Sequence, residues 1–392
     1  MRKLLPVALL PALASAALAL GPASPRAAAE DAPPPRYRIV GYVLGRRDQD
    51  LRQIDASRLT HVNYAFANVR DGRAVLEWPE RDGAHIAELQ SLRGRNPRLK
   101  ILLSIGGGEW SSGFSDMALH EESRLAFTRS AVELLVRYAF DGLDIDWEYP
   151  GIPGPSTVYR PEDTRNFTLL LRGLREALDE QGQRDGRSGS ERYQLSIAAN
   201  ITEAYRSHVE LSAIPQYLDF VNVMGYDNVG PWTERSGHHA NLYPPDPSTV
   251  EASLPVLSVA AGVEGYLAAG LPKEKLVLGL AFYGFSFAGV PPQNRGLYHR
   301  FTGKSQAHSY AELQQSYIDK NGFTRYWDAA AKAPYLWNPE TGTVITYDDP
   351  ESHRCKVEYV KRKGLGGVMY WEHFQDPDQS LLRGLALGLA AR

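Results

Sequence analysis

The sequence predicts an α/β fold, a (β/α)8 TIM barrel with a small α+β insertion between its seventh and eighth strands. From residue 38 onward, eight apolar runs of strand length alternate with segments whose apolar residues recur at helical spacing. That is the pattern of parallel strands joined by crossover helices. The interval between the last two runs is about 80 residues, far more than a strand-to-helix connection requires. The rival with the same alternation is a doubly wound open sheet. Its G-x-G-x-x-G phosphate-binding turn is missing here.

Each element follows from its own residues. Arg38 to Leu44 (RIVGYVL) reads as the first strand and His61 to Val69 (HVNYAFANV) as the second. Ile86 to Arg93 is a helix candidate. Leu99 to Ile105 is the third strand, and Gly106-Gly107-Gly108 after it reads as a tight turn, since no Lys-Ser/Thr follows to make a phosphate cradle. Glu122 to Tyr138 is a helix leading into the fourth strand. Pro161 to Glu180 is the next helix, with Phe167, Leu170, Leu171, Leu174 and Leu178 as its core stripe. Gln181 to Glu191, rich in Gly, Ser and charge, reads as an exposed loop. Tyr193 to Ala199 and Phe220 to Tyr226 are strands five and six, and Val250 to Ala269 a helix. Lys275 to Tyr283 is strand seven and Leu365 to Trp371 strand eight, with a further helix candidate at Tyr310 to Asp319.

Composition bounds the function classes. The chain has 392 residues, 43% hydrophobic and 23% charged, an ordinary globular balance. A net charge of -3 gives no reason to expect nucleic acid as a partner. Arg2 and Lys3 precede an apolar run, Leu4 to Leu20, with small residues at Ala14-Ser15-Ala16 and Ala27-Ala28-Ala29. This is the layout of a secretory signal peptide, too short and alanine-rich for a membrane anchor. The expected division is a signal peptide at 1–29, a lead-in at 30–37, the barrel at 38–284 and 348–392, and the insertion at 285–347. Export with no membrane attachment after cleavage, to the extracellular space or a periplasm, is the expectation. Cys355 is the sole cysteine, so the core must hold without an intramolecular disulfide.

The fourth strand lies within Phe140 to Pro150 (FDGLDIDWEYP), where Leu143, Ile145 and Trp147 alternate with Asp144, Asp146 and Glu148. With a period of two, the three carboxylates share one face and the apolar residues the other. Neighbouring acids in such a row have Cα atoms roughly 6–7 Å apart, close enough for their titrations to couple. Unpaired buried carboxylates are costly, so the row is expected to perform chemistry or hold a metal. No further acid from other strand ends converges obviously on it, which makes Mg²⁺ or Ca²⁺ the minor reading. Adjacent histidines such as His238-His239 in a Pro/Gly-rich loop are not expected to be ligands. A barrel keeps its active site at the carboxyl ends of its strands. Those ends hold Tyr42, Phe66, Ser104, the acidic row, Tyr226, Asp227, Tyr283 and Trp371. Carboxylates ringed by aromatics describe a carbohydrate cleft. Tyr42, Phe66 and Tyr283 read equally well as barrel core.

Asp141 to Glu148 matches the D-G-x-D-x-D-x-E signature of glycoside hydrolase family 18, the chitinases and their relatives. Ser104-Ile105-Gly106-Gly107 is similar to the family's S-x-G-G motif and Met224-Gly225-Tyr226-Asp227 to its M-x-Y-D motif. Gly366 to Trp371 resembles the strand end that carries its sugar-pocket tryptophan. The insertion resembles the α+β domain that forms one wall of the groove in deep-cleft chitinases.

The resemblance implies a secreted, retaining hydrolase of β-1,4-linked N-acetylglucosamine in chitin or chitooligosaccharides, assisted by the substrate itself and needing no metal or cofactor. It makes Glu148 the general acid, Asp146 the group that holds the acetamido N–H, and Asp144 the acid sharing a proton with Asp146. Tyr226 orients the acetamido group, Trp371 floors its pocket and Asp227 touches the sugar. Tyr42, Phe66, Trp110, Tyr149, Met224, Trp232 and Tyr283 complete the expected substrate contacts, and a monomer is expected. The chain departs from the family where Gly108 replaces a frequent stacking Trp and where Phe285 replaces the Arg of Y-G-R. Rival readings are an endo-β-N-acetylglucosaminidase on N-glycan or peptidoglycan-like glycans, and a non-catalytic chitin-binding lectin. Such lectins characteristically lack the acid that stands here at Glu148.

Overall fold

The computed structural model describes residues 36–45, 49–155, 158–251, 254 and 256–391. The expected signal peptide and residues 30–35 of the lead-in lie outside the described residues. The first strands are β1 (Arg38–Leu44), β2 (His61–Arg70) and the short β3 (Arg73–Val75), which folds back antiparallel on β2. β4 (Lys100–Gly106), β5 (Gly142–Asp146), β6 (Gln194–Asn200), β7 (Phe220–Met224) and β8 (Leu276–Ala281) follow. The insertion supplies β9 (Tyr283–Ala288), β10 (Ser305–Ser309), β11 (Thr324–Asp328), β12 (Ala333–Asn338) and β13 (Thr343–Tyr347) before the last stave, β14 (Gly367–Trp371). β1 pairs in parallel with both β2 and β14, which closes the ring β1-β2-β4-β5-β6-β7-β8-β14. A doubly wound sheet has two free edges; this one has none.

The two-residue period distributes every strand between two cores. Ile39 and Val43 of β1, Ile101, Leu103 and Ile105 of β4, and Leu143 and Ile145 of β5 pack outward against the helices. Val40, Tyr42, Leu102, Ala198, Phe220, Val277 and Met369 fill the barrel interior and continue into its mouth. Trp147 joins the outer core, stacked on Phe114 at 5.2 Å between ring centroids. Side-chain alternation on β5 therefore turns Asp144 and Asp146 inward, as the spacing implied.

The five expected helices are present in the expected order but differ in extent, and Phe114–Leu119, Glu203–Ser207, Pro350–Lys363 and Ser380–Ala390 are helices that the periodicity did not reveal. The helix expected at Ile86 already begins at Pro79, where proline fits the first helical position and Glu80 and Asp82 complement its N-terminus. Its first turn is polar, so apolar periodicity did not reveal it. The helix Asp163–Arg184 runs four residues into the expected loop, and all five residues of its apolar stripe are buried. The helix expected from Val250 is confined to Val259–Ala268, because the Ser258 hydroxyl caps its start by accepting from the Ala261 N–H. The expected seventh strand divides at Phe282. Its N–H donates to the Trp371 carbonyl at 2.9 Å, while Tyr283 already begins β9 in the second sheet.

That second sheet is antiparallel, in the order β10-β9-β13-β12-β11, with the helix Tyr310–Ser316 after β10. The helix Pro350–Lys363 returns the chain to the barrel, opened by an Asp349/Ser352 capping box and closed by Gly364 at φ 69°. Arg325 of β11 binds Asp349 at 2.7 Å and Glu351 at 2.8 Å, tying the sheet to this helix. Among the described residues no helix is long and apolar enough to cross a membrane.

Candidate active site

The site forms at the carboxyl ends of the barrel strands, with the acids of β5 at different depths. Asp144 lies deepest and has no exposed surface. It accepts from Tyr42 Oη and Ser104 Oγ at 2.7 Å each, from Ser196 Oγ at 2.6 Å and from Asn222 Nδ2 at 3.2 Å. These partners come from β1, β4, β6 and β7, so one carboxylate ties together strands on opposite sides of the barrel. Burial raises its pKa, opposed by those four hydrogen bonds.

Asp146 closes β5 and lines the pocket above, 4% exposed, with Oδ1 lacking any hydrogen-bond partner in the protein. Burial first, then the charges of Glu148 and Asp144, push its carboxyl well above the usual range. Glu148 lies just past the strand and is half-buried at the pocket wall. Burial, then the charge of Asp227, raise it to about 7. Ser111 braces this turn: its hydroxyl donates to the Asp146 carbonyl at 3.0 Å and accepts from the Glu148 N–H at 2.9 Å.

The close approach of β4 explains its glycines. At Gly106 (φ 112°) a Cβ would lie 2.2 Å from the Asp146 carbonyl oxygen, and at Gly107 (φ 80°) 2.6 Å from the Phe66 ring. The triplet is the tight turn that the sequence suggested.

Aromatic side chains from separate strands complete the wall. Trp371 stacks on Phe66 at 5.6 Å and leans on Tyr42 at 5.7 Å. Tyr149, Met224, Tyr226, Asp227 and Tyr283 line the same pocket. Tyr149 Oη accepts from Asn200 Nδ2 at 2.9 Å, and Tyr226 packs against Tyr283 at 6.0 Å. The Ala65–Phe66, Glu148–Tyr149 and Trp371–Glu372 peptide bonds are cis. Asp227 keeps 41% of its side chain open, and Tyr283 Oη donates to its Oδ1. Enclosure by the pocket wall raises its carboxyl to about 6, against that hydrogen bond.

Two residues expected as substrate contacts lie outside this pocket. Trp110 is outside the pocket lining and packs on Trp78 at 5.8 Å, while its neighbours Gly108 and Glu109 face the pocket. Trp232 is 62% exposed and rests edge-on against Phe285 at 5.5 Å, also outside the lining. Sequence reasoning missed Ser196, Asn222 and Asn200. Their signal is a polar residue at an inward position of an otherwise apolar strand, legible once the register is known. Among the described residues no three His, Cys, Asp or Glu side chains group as a metal site.

The chain is 37% identical over 415 residues to Chitinase A1 of Niallia circulans, covering 90% of this chain and 58% of that protein's length. Among solved structures it resembles a family 18 N-acetylglucosaminidase from Paenibacillus barengoltzii, with 43% identity, a TM-score of 0.82, and coverage of 90% of this chain and 99% of that one. It also resembles a class V chitinase from Nicotiana tobaccum in complex with NAG4, with 27% identity, a TM-score of 0.79, and coverage of 91% and 99%. The family model for glycosyl hydrolases family 18 matches residues 38–376, a span that takes in the barrel, the insertion and every acid of the site. This chain is therefore a glycosidase and belongs to glycosyl hydrolases family 18.

Proposed function

We propose that the protein is a secreted, monomeric, retaining hydrolase of β-1,4-linked N-acetylglucosamine in chitin or chitooligosaccharides. The observation that carries the reading is a buried carboxylate oxygen without a partner, Asp146 Oδ1, in the same pocket as a second acid, Glu148. Glu148, raised to about 7, opens into the pocket beside Asp146 Oδ1, which is buried and unpartnered. A free acceptor at that depth suits a substrate N–H. Chitinase A1 and the NAG4-bound relative carry chitin chemistry in their names, which supports the same substrate class. The signal-like segment at residues 1–29 supports export.

Glu148 gives its proton to the glycosidic oxygen as the bond to the anomeric carbon breaks. The acetamido oxygen of the same sugar attacks that carbon from the opposite face, forming an oxazolinium ion. Asp146 accepts the acetamido N–H and balances the positive charge, with Tyr226 orienting the group and Asp144 sharing the proton below. Glu148, now a carboxylate, takes a proton from water, which opens the ring and leaves the configuration unchanged. Substrates without the 2-acetamido group should not be cleaved, and measurable turnover of cellooligosaccharides would refute assistance by the substrate.

A second reading concerns the mode of cleavage. The 43% identical N-acetylglucosaminidase and the side-chain-free Gly108 favour removal of single residues over cleavage within the chain. Product masses from a defined chitooligosaccharide series decide it: monomer from the first time points supports release of single residues, and mixed lengths support internal cleavage.

A further inference from the structure

Behind the pocket wall lies a buried histidine that the reaction scheme leaves unused. His239 sits between β7 and the helix Val259–Ala268, with no exposed surface. Its carbonyl accepts from the Asn228 N–H at 3.0 Å, and its own N–H donates to Thr346 Oγ1 of β13 at 3.1 Å. It thereby holds the residue next to Asp227 on one side and the insertion on the other. Its ring lies 5.2 Å from Tyr283 and 5.4 Å from Phe285, with Nδ1 4.0 Å from Asp227 Oδ1. Neither ring nitrogen completes a hydrogen bond. Asp227 itself sits at φ 63°, in the left-handed region that aspartate enters more readily than most residues.

We propose that His239 is a positioning residue for Asp227: its backbone holds the left-handed Asp227–Asn228 segment, and its neutral ring, Nδ1–H toward the carboxylate, tunes the charge that Asp227 presents to Glu148. The inference rests on Asp227 and Glu148 facing the substrate as proposed above. The charged groups around the ring are the buried Asp348–Lys356 ion pair and then His238, with the Tyr283 backbone carbonyl also facing it and Asp227 Oδ1 4.0 Å from Nδ1. His238 is turned to Asp328 at 3.2 Å and Lys356 is held by Asp348, which leaves neither aimed at Asp227. Phe285 offers no cation at this point. Burial lowers the ring to about 3, so it stays uncharged in the working range. A neutral donor steadies the Asp227 anion without cancelling its charge, and that charge helps keep Glu148 protonated.

The variants to compare are His239→Phe, which keeps the ring packing and loses the donor, and His239→Gln, which keeps a donor. The first readout is the 13C titration of the Asp227 carboxyl. In His239→Phe its midpoint should rise by about 0.3–0.5 pH unit, a modest step because the carboxyl is partly solvated. In His239→Gln it should stay at the wild-type position. Asp227 then carries less charge where Glu148 titrates, so the alkaline limb of kcat/KM in His239→Phe should move to lower pH. An Asp227 midpoint that is the same in both variants and wild type overturns the proposal, even if His239→Phe is less stable. In the wild type, 15N spectra of the imidazole should show the Nδ1-protonated tautomer. The Nε2 tautomer overturns the proposal whether or not the variants fold. Failure of the wild type to cleave any chitooligosaccharide would count against the function above and leave these titrations to decide the role of His239.

Discussion

At the residue scale, Glu148 serves two opposed demands, since the enclosure that keeps it protonated also costs the fold free energy once it ionises. Its folded pKa of about 7 lies above the ordinary 4.5. The stability it contributes is fully present below pH 4.5 and is lost as pH rises through 7. Glu148→Gln should lower kcat by about 10²–10⁴-fold while leaving oligosaccharide binding largely intact. The same variant should be more stable than wild type at pH 8, by about 1–2 kcal/mol after allowing for solvent at the pocket, and no more stable at pH 4. Denaturant titrations at the two pH values measure this. The alkaline limb of kcat/KM in the wild type should fall near pH 7 for the same reason. Asp144 makes a contrasting case. Asp144→Ala removes the acceptor for four buried donors and should cost about 2–4 kcal/mol in chemical denaturation, with Asp144→Asn costing less. Both acids were visible in the sequence because their period is local. Of the four donors to Asp144, Tyr42 and Ser104 were legible as strand-end residues, whereas Ser196 and Asn222 were not, standing 52 and 78 residues away from Asp144.

At the element scale, strands were read more accurately than helix ends. β1 spans the residues its apolar run suggested, because a stave packed on both faces has to be apolar throughout. Helix ends depend on caps, and a cap acts through one side chain. Ser258 truncates one helix in this way, and Asp349 starts another. Asp349→Ala should destabilise the protein by about 1–2 kcal/mol, through the lost capping box, and should also release Arg325 from its tighter contact. Leu174→Ala, in the buried stripe of Asp163–Arg184, should cost about 2–5 kcal/mol by leaving a cavity. Thermal or urea unfolding followed by circular dichroism reads either loss.

At the scale of the whole molecule, closing the barrel brings β1, β2 and β14 side by side, which sets Tyr42, Phe66 and Trp371 around one opening. Trp371→Ala should raise KM for chitooligosaccharides about 10- to 100-fold, the effect of losing about 1.5–3 kcal/mol of buried ring contact. The insertion reaches the site less directly, through Thr346, His239 and the residues that follow β7. Alternation along a strand and the order of strands and helices were settled by the sequence, because each depends on neighbours a few residues apart. Which side chains converge was decided by the tertiary structure. Register between distant strands put Ser196 and Asn222 under Asp144, and loop packing turned Trp110 onto Trp78 and left Trp232 exposed. Those contacts depend on ring closure and on which groups exclude water together, and neither is written in any short stretch of the chain.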